Sequence, residues 1–258
     1  MRTRLILSFL VAALAVPVIS FAQEEGERGQ LGEMMIWRVA PDAAADFEAA
    51  IMKVVEAAKL ANIGEEFAWF FWQDGFDYGF YAPTENMADF DDPDAFMRAF
   101  QGTPGEAMLT EAFESFGTLD YEVLSREVIE GVPGWGYTLE QPVEINYAFM
   151  YESWMKPGTE MEADELSKEW VALLQEAGYP YEAAGYRVHF GDIGRLVYFI
   201  WFDNQADYYG PNDMSKLIEA KGLGAKWQDF GKRWNALITR YEQSTWTYRD
   251  DLSYTPST

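Results

Sequence analysis

The stretch "EFAWFFWQDGFDYGFY", Glu66 to Tyr81, sets nine aromatic side chains in sixteen positions. Successive residues of a strand point to opposite faces. In Phe67 to Trp72 the odd positions are Phe67, Trp69 and Phe71, and the even ones are Ala68, Phe70 and Trp72. Both faces are apolar, so both are expected to be buried, whereas a sheet wet on one side alternates apolar and polar. Gln73, Asp74, Gly75 and Asp77 then interrupt the run. They suit a hairpin turn, and the interrupted run is too short for a membrane span.

A second stretch has the same character. Leu196, Tyr198 and Ile200 alternate with Val197, Phe199 and Trp201. Burying one such side chain stabilises a fold by roughly 1.5–3 kcal/mol, so an open face would forfeit a great deal. Two sheets that cover each other, each with helices on its outer side, remove the problem.

The chain also repeats itself. Phe47, Ile51, Val54, Val55 and Ala58 mark one face of a helix, and Leu166, Trp170, Leu173, Leu174 and Ala177 repeat those steps 119 residues later. The same offset carries Phe67, Trp69 and Phe71 onto Tyr186, Val188 and Phe190, Gly75 onto Gly194, and Tyr78 and Phe80 onto Val197 and Phe199. After one residue of slippage, "ENMADF" at Glu85 to Phe90 meets "DNQADY" at Asp203 to Tyr208. This is the signature of a duplication.

Each copy reads as strand, helix, hairpin, helix, strand. The first runs through Glu33–Val39, Pro41–Ala61, Phe67–Ala82, Pro104–Phe116 and Leu119–Arg126. The second runs through Val143–Trp154, Met161–Ala177, Tyr186–Phe202, Leu223–Gln243 and Thr245–Asp250. That order is βαββαβ, the ferredoxin-like unit. The fold class expected is α+β, with two tandem repeats, residues 33–129 and 143–254, whose antiparallel sheets face each other. Residues 130–142 read as the linker, with three Gly and one Pro between Glu130 and Gln141.

Two fused ferredoxin-like units with aromatic hairpins resemble the dimeric α+β barrel superfamily, which includes antibiotic-biosynthesis-monooxygenase-like and NIPSNAP-like proteins. The resemblance covers about residues 33 to 254 and rests on element order and the repeat. It implies two sheets enclosing a barrel. No motif of one family is present, so no family's catalytic residues carry over.

Composition narrows the partners. Of 258 residues 19 are basic and 43 acidic, a net charge of −24. Such acidity argues against nucleic acid and anionic membranes. Residues 1–22 read as a secretory signal: Arg2 and Arg4, the apolar Leu5 to Val16, then Ser20-Phe21-Ala22. A secreted or periplasmic protein is expected, with 23–32 as a disordered lead-in. The fusion predicts a monomer, because one chain supplies both halves.

The candidate site follows from strand alternation. Tyr186, Val188 and Phe190 share one face of a strand, and Arg187 and His189 the other. If the apolar face meets the helices, Arg187 and His189 point into the barrel. Arg38, Glu152 and the rings of Trp72, Tyr81, Trp154, Tyr198 and Trp201 are expected to join them, with Glu152 and Arg187 as a candidate ion pair. A ring-lined interior with few polar groups suits a small apolar or aromatic ligand. A cofactor-independent monooxygenase-like enzyme is the alternative, with His189 as base and Arg187 steadying an anion. A structural domain with a solidly filled barrel is another. One His and no Cys are too few for a zinc site. Asp89 to Asp94, "DFDDPD", lacks EF-hand spacing and reads as a polar loop with a helix cap. Haem, held by chlorite dismutase-like and dye-decolourising-peroxidase-like enzymes of similar build, would need His189, which sits on a predicted strand. "WQDGFDYG" also lacks the GxxDG pattern of the peroxidases, and no cofactor is expected.

Overall fold

The computed structural model describes residues 29–92 and 94–256. The expected signal segment and most of the lead-in lie outside them. The elements run β1 (Leu31–Val39), α1 (Ala44–Ala61), β2 (Phe70–Asp74), β3 (Asp77–Thr84), α2 (Ala95–Ala99), α3 (Glu106–Phe116) and β4 (Tyr121–Gly131) in the first copy. The second has β5 (Tyr147–Met155), α4 (Glu160–Ala177), β6 (Glu182–Phe190), β7 (Arg195–Phe202), α5 (Gln205–Tyr208), α6 (Met214–Ala220), α7 (Gly224–Leu237) and β8 (Ile238–Tyr248). Strand pairing closes the eight strands into one barrel in the order β1-β3-β2-β8-β5-β7-β6-β4. None of the described helices is long and apolar enough to cross a membrane.

Two compact units divide the chain, one of residues 30–128 with the tail from Arg249, the other of residues 129–248. In the first, the register sets Met35 and Phe71 on either side of Phe80. These three, with Tyr78, pack on Phe47, Ile51 and Val54 of α1. The opposite face of the same strands carries Met34, Arg38, Trp72 and Tyr81. Helix α1 ends where Asn62 turns left-handed, φ 51°, a conformation that Asn tolerates better than most residues.

The tail from Arg249 completes this unit. Tyr254 exchanges backbone hydrogen bonds with Trp69 at 2.9 Å each, and its hydroxyl donates to the Ile63 carbonyl at 2.8 Å. Arg249 donates to both carboxylate oxygens of Glu48 at 2.8 and 2.9 Å, and to those of Asp251. The Tyr78 hydroxyl donates to Glu48 at 2.6 Å.

The second unit is built alike. In β5 and β7, Tyr151 faces Tyr198 and Phe149 faces Ile200, on the side that packs on α4 and α7. Tyr137 bridges to Ala183, and its hydroxyl donates to the Tyr179 carbonyl at 3.3 Å. So the stretch expected to be a linker holds two buried rings, Trp135 and Tyr137. Helix α7 stops at Leu237, six residues short of the expected end, and strand begins at once. Ile238, Thr239 and Tyr241 favour strand, and β5 pairs along the whole segment. The cap expected within Asp89 to Asp94 falls instead on Asn86, whose side chain accepts from the Ala88 N–H at 2.8 Å while Asp89 accepts from the Asn86 N–H at 3.0 Å. Asn204 caps α5 in the same way.

The hydrogen bond from Arg249 holds Glu48 below the ordinary carboxylate value, with burial opposing and Tyr78 assisting. A carboxylate lowered by folding stabilises the fold above its unfolded value, and the gain is lost as pH falls through the folded value. Glu48→Gln should therefore be less stable than wild type by a constant margin above about pH 4.5. Urea unfolding at successively lower pH should show that margin shrinking. A margin unchanged down to about pH 2 would contradict the assignment.

Candidate functional site

A ring-lined cavity lies within the second unit, between the sheet and the helices α4 and α7. Its volume is about 290 Å³. Phe149, Tyr151, Tyr198 and Ile200 of β5 and β7 form one wall. Trp170 of α4 and Trp227, Phe230 and Trp234 of α7 form the other, and the exposed Asn235 and Gln243 flank the mouth. No Asp, Glu, Lys or Arg lines it.

The wall is held by close ring contacts. Trp170 and Trp234 meet Tyr198 edge-on, with centroids 5.3 and 5.8 Å away. Trp135 stacks on Tyr198 at 5.9 Å. Gly185, opposite Tyr198 in the register, makes this packing possible: a Cβ there would fall 2.8 Å from both Trp135 and the Tyr198 ring. The Tyr198 hydroxyl lies 2.6 Å from Ser167 Oγ, which also donates to the Ala163 carbonyl at 2.6 Å. Burial pushes the Tyr198 phenol well above its ordinary value, so it stays protonated.

The first unit has a void in the corresponding place, between its sheet and α1, of only 70 Å³. The left-handed residues that end α1 and α4, Asn62 and Gly178, are 116 positions apart. The carbonyls that receive Tyr254 and Tyr137, Ile63 and Tyr179, are also 116 apart. On that offset Phe47, Ile51 and Val54 correspond to Ala163, Ser167 and Trp170. Strands β3 and β7 match at 118, so Phe80 corresponds to Tyr198. The hydroxyl pair of the second unit thus stands where the first has Ile51 and Phe80.

The residues singled out from sequence fall on two faces. Tyr198 is on the helix side, in the cavity wall. Arg187 pairs opposite Leu196 in the register, also on the helix side, and its guanidinium lies 5.5 Å from the Trp135 ring centroid. His189 follows it by two and bonds Glu130 at 2.6 Å, with 40% of its side chain exposed. The expectation that Arg187 and His189 lie opposite the helices is therefore reversed: the apolar Tyr186 and Val188 face away from α4 and α7. Glu152, Trp154 and Trp201 share the face opposite the helices, as do Arg38, Trp72 and Tyr81 in their own unit. Arg38 is tied to Asp77 at the exposed end of its strand. Glu152 pairs with Arg195 at 2.6 Å and not with Arg187, and both partners are buried. Burial, with Glu242 adding to it, pushes Glu152 upward, and the Arg240 guanidinium opposes that push.

Sequence reasoning missed Ser167, Trp227, Phe230 and Trp234. The rings recur along one stripe of α7, which reads as core. Ser167 stands in the apolar face of α4, a signal visible only once the two helices are aligned at 116. Among the described residues, no cluster of His, Asp or Glu is arranged to hold a metal.

No protein-family model matches the sequence, and no curated protein matches it. Solved structures do. An anthrone oxidase-like protein is 13% identical, with 94% of this chain and 98% of that one covered, at a TM-score of 0.54. A protein provisionally assigned as a monooxygenase from Fusobacterium nucleatum is 11% identical over 88% and 98% of the two chains, at 0.56. Another so assigned, from Lactobacillus acidophilus NCFM, is 10% identical over 88% and 97%, at 0.52. The chain has the dimeric α+β barrel fold. Here both halves lie in one polypeptide, and at these identities the likeness concerns the fold alone.

Removing one member of a buried ion pair strands the other charge, at a cost of roughly 3–5 kcal/mol. Glu152→Ala should lose about that much in chemical denaturation, while Glu130→Ala, at the exposed His189 contact, should lose under about 1 kcal/mol. Equal losses would show that the Glu152–Arg195 pair is not the buried tie described.

Proposed function

We propose that this protein binds a small, neutral, aromatic molecule in the cavity between α4, α7 and the sheet of the second unit. The observation that carries the reading is a ring-lined space of about 290 Å³ with no charged residue in its wall. An apolar cavity of roughly 150 Å³ admits benzene, so the space here suits two fused rings. Interiors are normally close-packed, and an emptied core costs roughly 24 cal/mol per Å³. The first unit avoids most of that cost with its much smaller void, and the second does not. Indole and phenol rings offer flat faces and edges for a flat ligand, and a neutral wall disfavours an ionised one.

The oxygenase alternative would act through His189 and Arg187. Neither lines the cavity, so it gains nothing from this site. The segment Arg2 to Ala22 supports placing the binding outside the cytoplasm, a proposal that rests on sequence alone.

Naphthalene is a direct probe. Trp170, Trp227 and Trp234 line the cavity, so titration should change the intrinsic fluorescence saturably. Gly231 of α7 also lines it, and a Cβ there would meet nothing within 4 Å. Gly231→Leu should keep the fold, since Leu favours helix over Gly by nearly 1 kcal/mol, and abolish the response. Absence of saturable binding to wild type, or full binding by Gly231→Leu, would overturn the reading.

A further inference from the structure

The polarity of the cavity floor can be worked out by counting protons. Ser167 Oγ has two oxygen neighbours, the Ala163 carbonyl and the Tyr198 hydroxyl, each at 2.6 Å. A carbonyl only accepts, so the single serine proton is committed to Ala163. The contact between Ser167 and Tyr198 still needs a proton, and the phenol is its remaining source. Tyr198 therefore donates to Ser167 Oγ and keeps only lone pairs to offer. Both side chains line the cavity, so its floor is a hydrogen-bond acceptor.

We propose that the ligand is an aromatic molecule bearing an un-ionised donor, a phenolic O–H or an aryl N–H, which gives its proton to Tyr198 Oη. This rests on the cavity being a binding site and specifies the ligand's polar group. A buried acceptor left without a donor is costly, so a ring lacking one gives up affinity, and a ring bearing only a carbonyl sets two acceptors together. The first unit, with Ile51 and Phe80 at these positions, has no such floor. Among the described residues the buried Trp234 Nε1 finds no acceptor, and it defines the rival: a ligand anchored by its own acceptor.

Naphthalene, naphthol and acetylnaphthalene, of equal ring size, separate these outcomes. Wild type should bind naphthol roughly three- to ten-fold more tightly than naphthalene, the range one hydrogen bond supplies, and acetylnaphthalene no better than naphthalene. The ratio of affinities within each variant is the readout, which a general loosening of the site would not move. Tyr198→Phe should bring the naphthol ratio to about one. Ser167→Ala releases the tyrosine proton, so acetylnaphthalene should gain relative to naphthalene. Binding of naphthalene and naphthol with equal affinity, or a wild-type preference for acetylnaphthalene, overturns the proposal while leaving the cavity as a binding site. If none of the three binds, the cavity reading itself fails.

Discussion

A strand repeats every two residues, so whatever covers one face of a sheet decides which side chains are left for the other. In each unit of this protein the cover is a pair of helices: α1 and α3 in the first, α4 and α7 in the second. Everything said of the cavity follows from that constraint. With Leu196, Tyr198 and Ile200 turned to α4 and α7, Val197, Phe199 and Trp201 take the opposite face, and Arg187 and His189 come to the helix side with Tyr198. A register one residue different would exchange the two sets completely.

The fold was legible in the sequence for the same reason that part of the site was not. Strands apolar on both faces and two amphipathic helices specify ferredoxin-like halves whatever their alignment. Assigning a side chain to a face requires the alignment to be right to one residue. Helices forgive an error of one turn, which is why 119 matched the stripes of α1 and α4 when their ends give 116. Strands forgive nothing odd. Phe71 and Gly185 stand opposite the corresponding residues Phe80 and Tyr198 in their hairpins, and they are 114 apart. Mapping Phe71 onto Phe190 moved it by five, an odd number, and so onto the wrong face. The cause is the turn. Asp74 pairs with Asp77 around two residues in the first hairpin, whereas in the second the pair nearest the turn, Arg187 with Leu196, encloses eight.

The segments beyond β4 and β8 show how closely the halves correspond once that is allowed for. Tyr137 bridges to Ala183 of β6 and Tyr254 to Trp69 just before β2, and each places its hydroxyl on the second carbonyl past a helix. Buried tyrosines need a partner for the phenol, and the chain end after a helix supplies a free carbonyl. Neither tyrosine stands out in the sequence, because Tyr137 sits in a Gly-rich stretch and Tyr254 among the last residues. The long-range contact that explains each is 42 residues away in one case and 191 in the other.

Against that near-identity, the difference between the two helix-sheet interiors acquires meaning. The Phe47 ring packs 4.9 Å from Tyr78 and 5.6 Å from Phe116; its counterpart, Ala163, has no side chain to do so. Substituting small for large in a core usually lets neighbours collapse into the space. In the second unit collapse is opposed by bulk elsewhere: Val54 is matched by Trp170, and α7 sets Trp227, Phe230 and Trp234 along the same wall, stacked in sequence at 5.3 and 6.0 Å. Rigid rings in mutual contact hold a wall apart where flexible aliphatic chains would fill it. The hydroxyls of Ser167 and Tyr198, whose protons go to the Ala163 carbonyl and to Ser167 Oγ, are then the least costly polar groups that such a floor can carry. Filling from the edges while hollowing the centre is the arrangement expected of a site, and it is confined to one of two halves that otherwise share their fold.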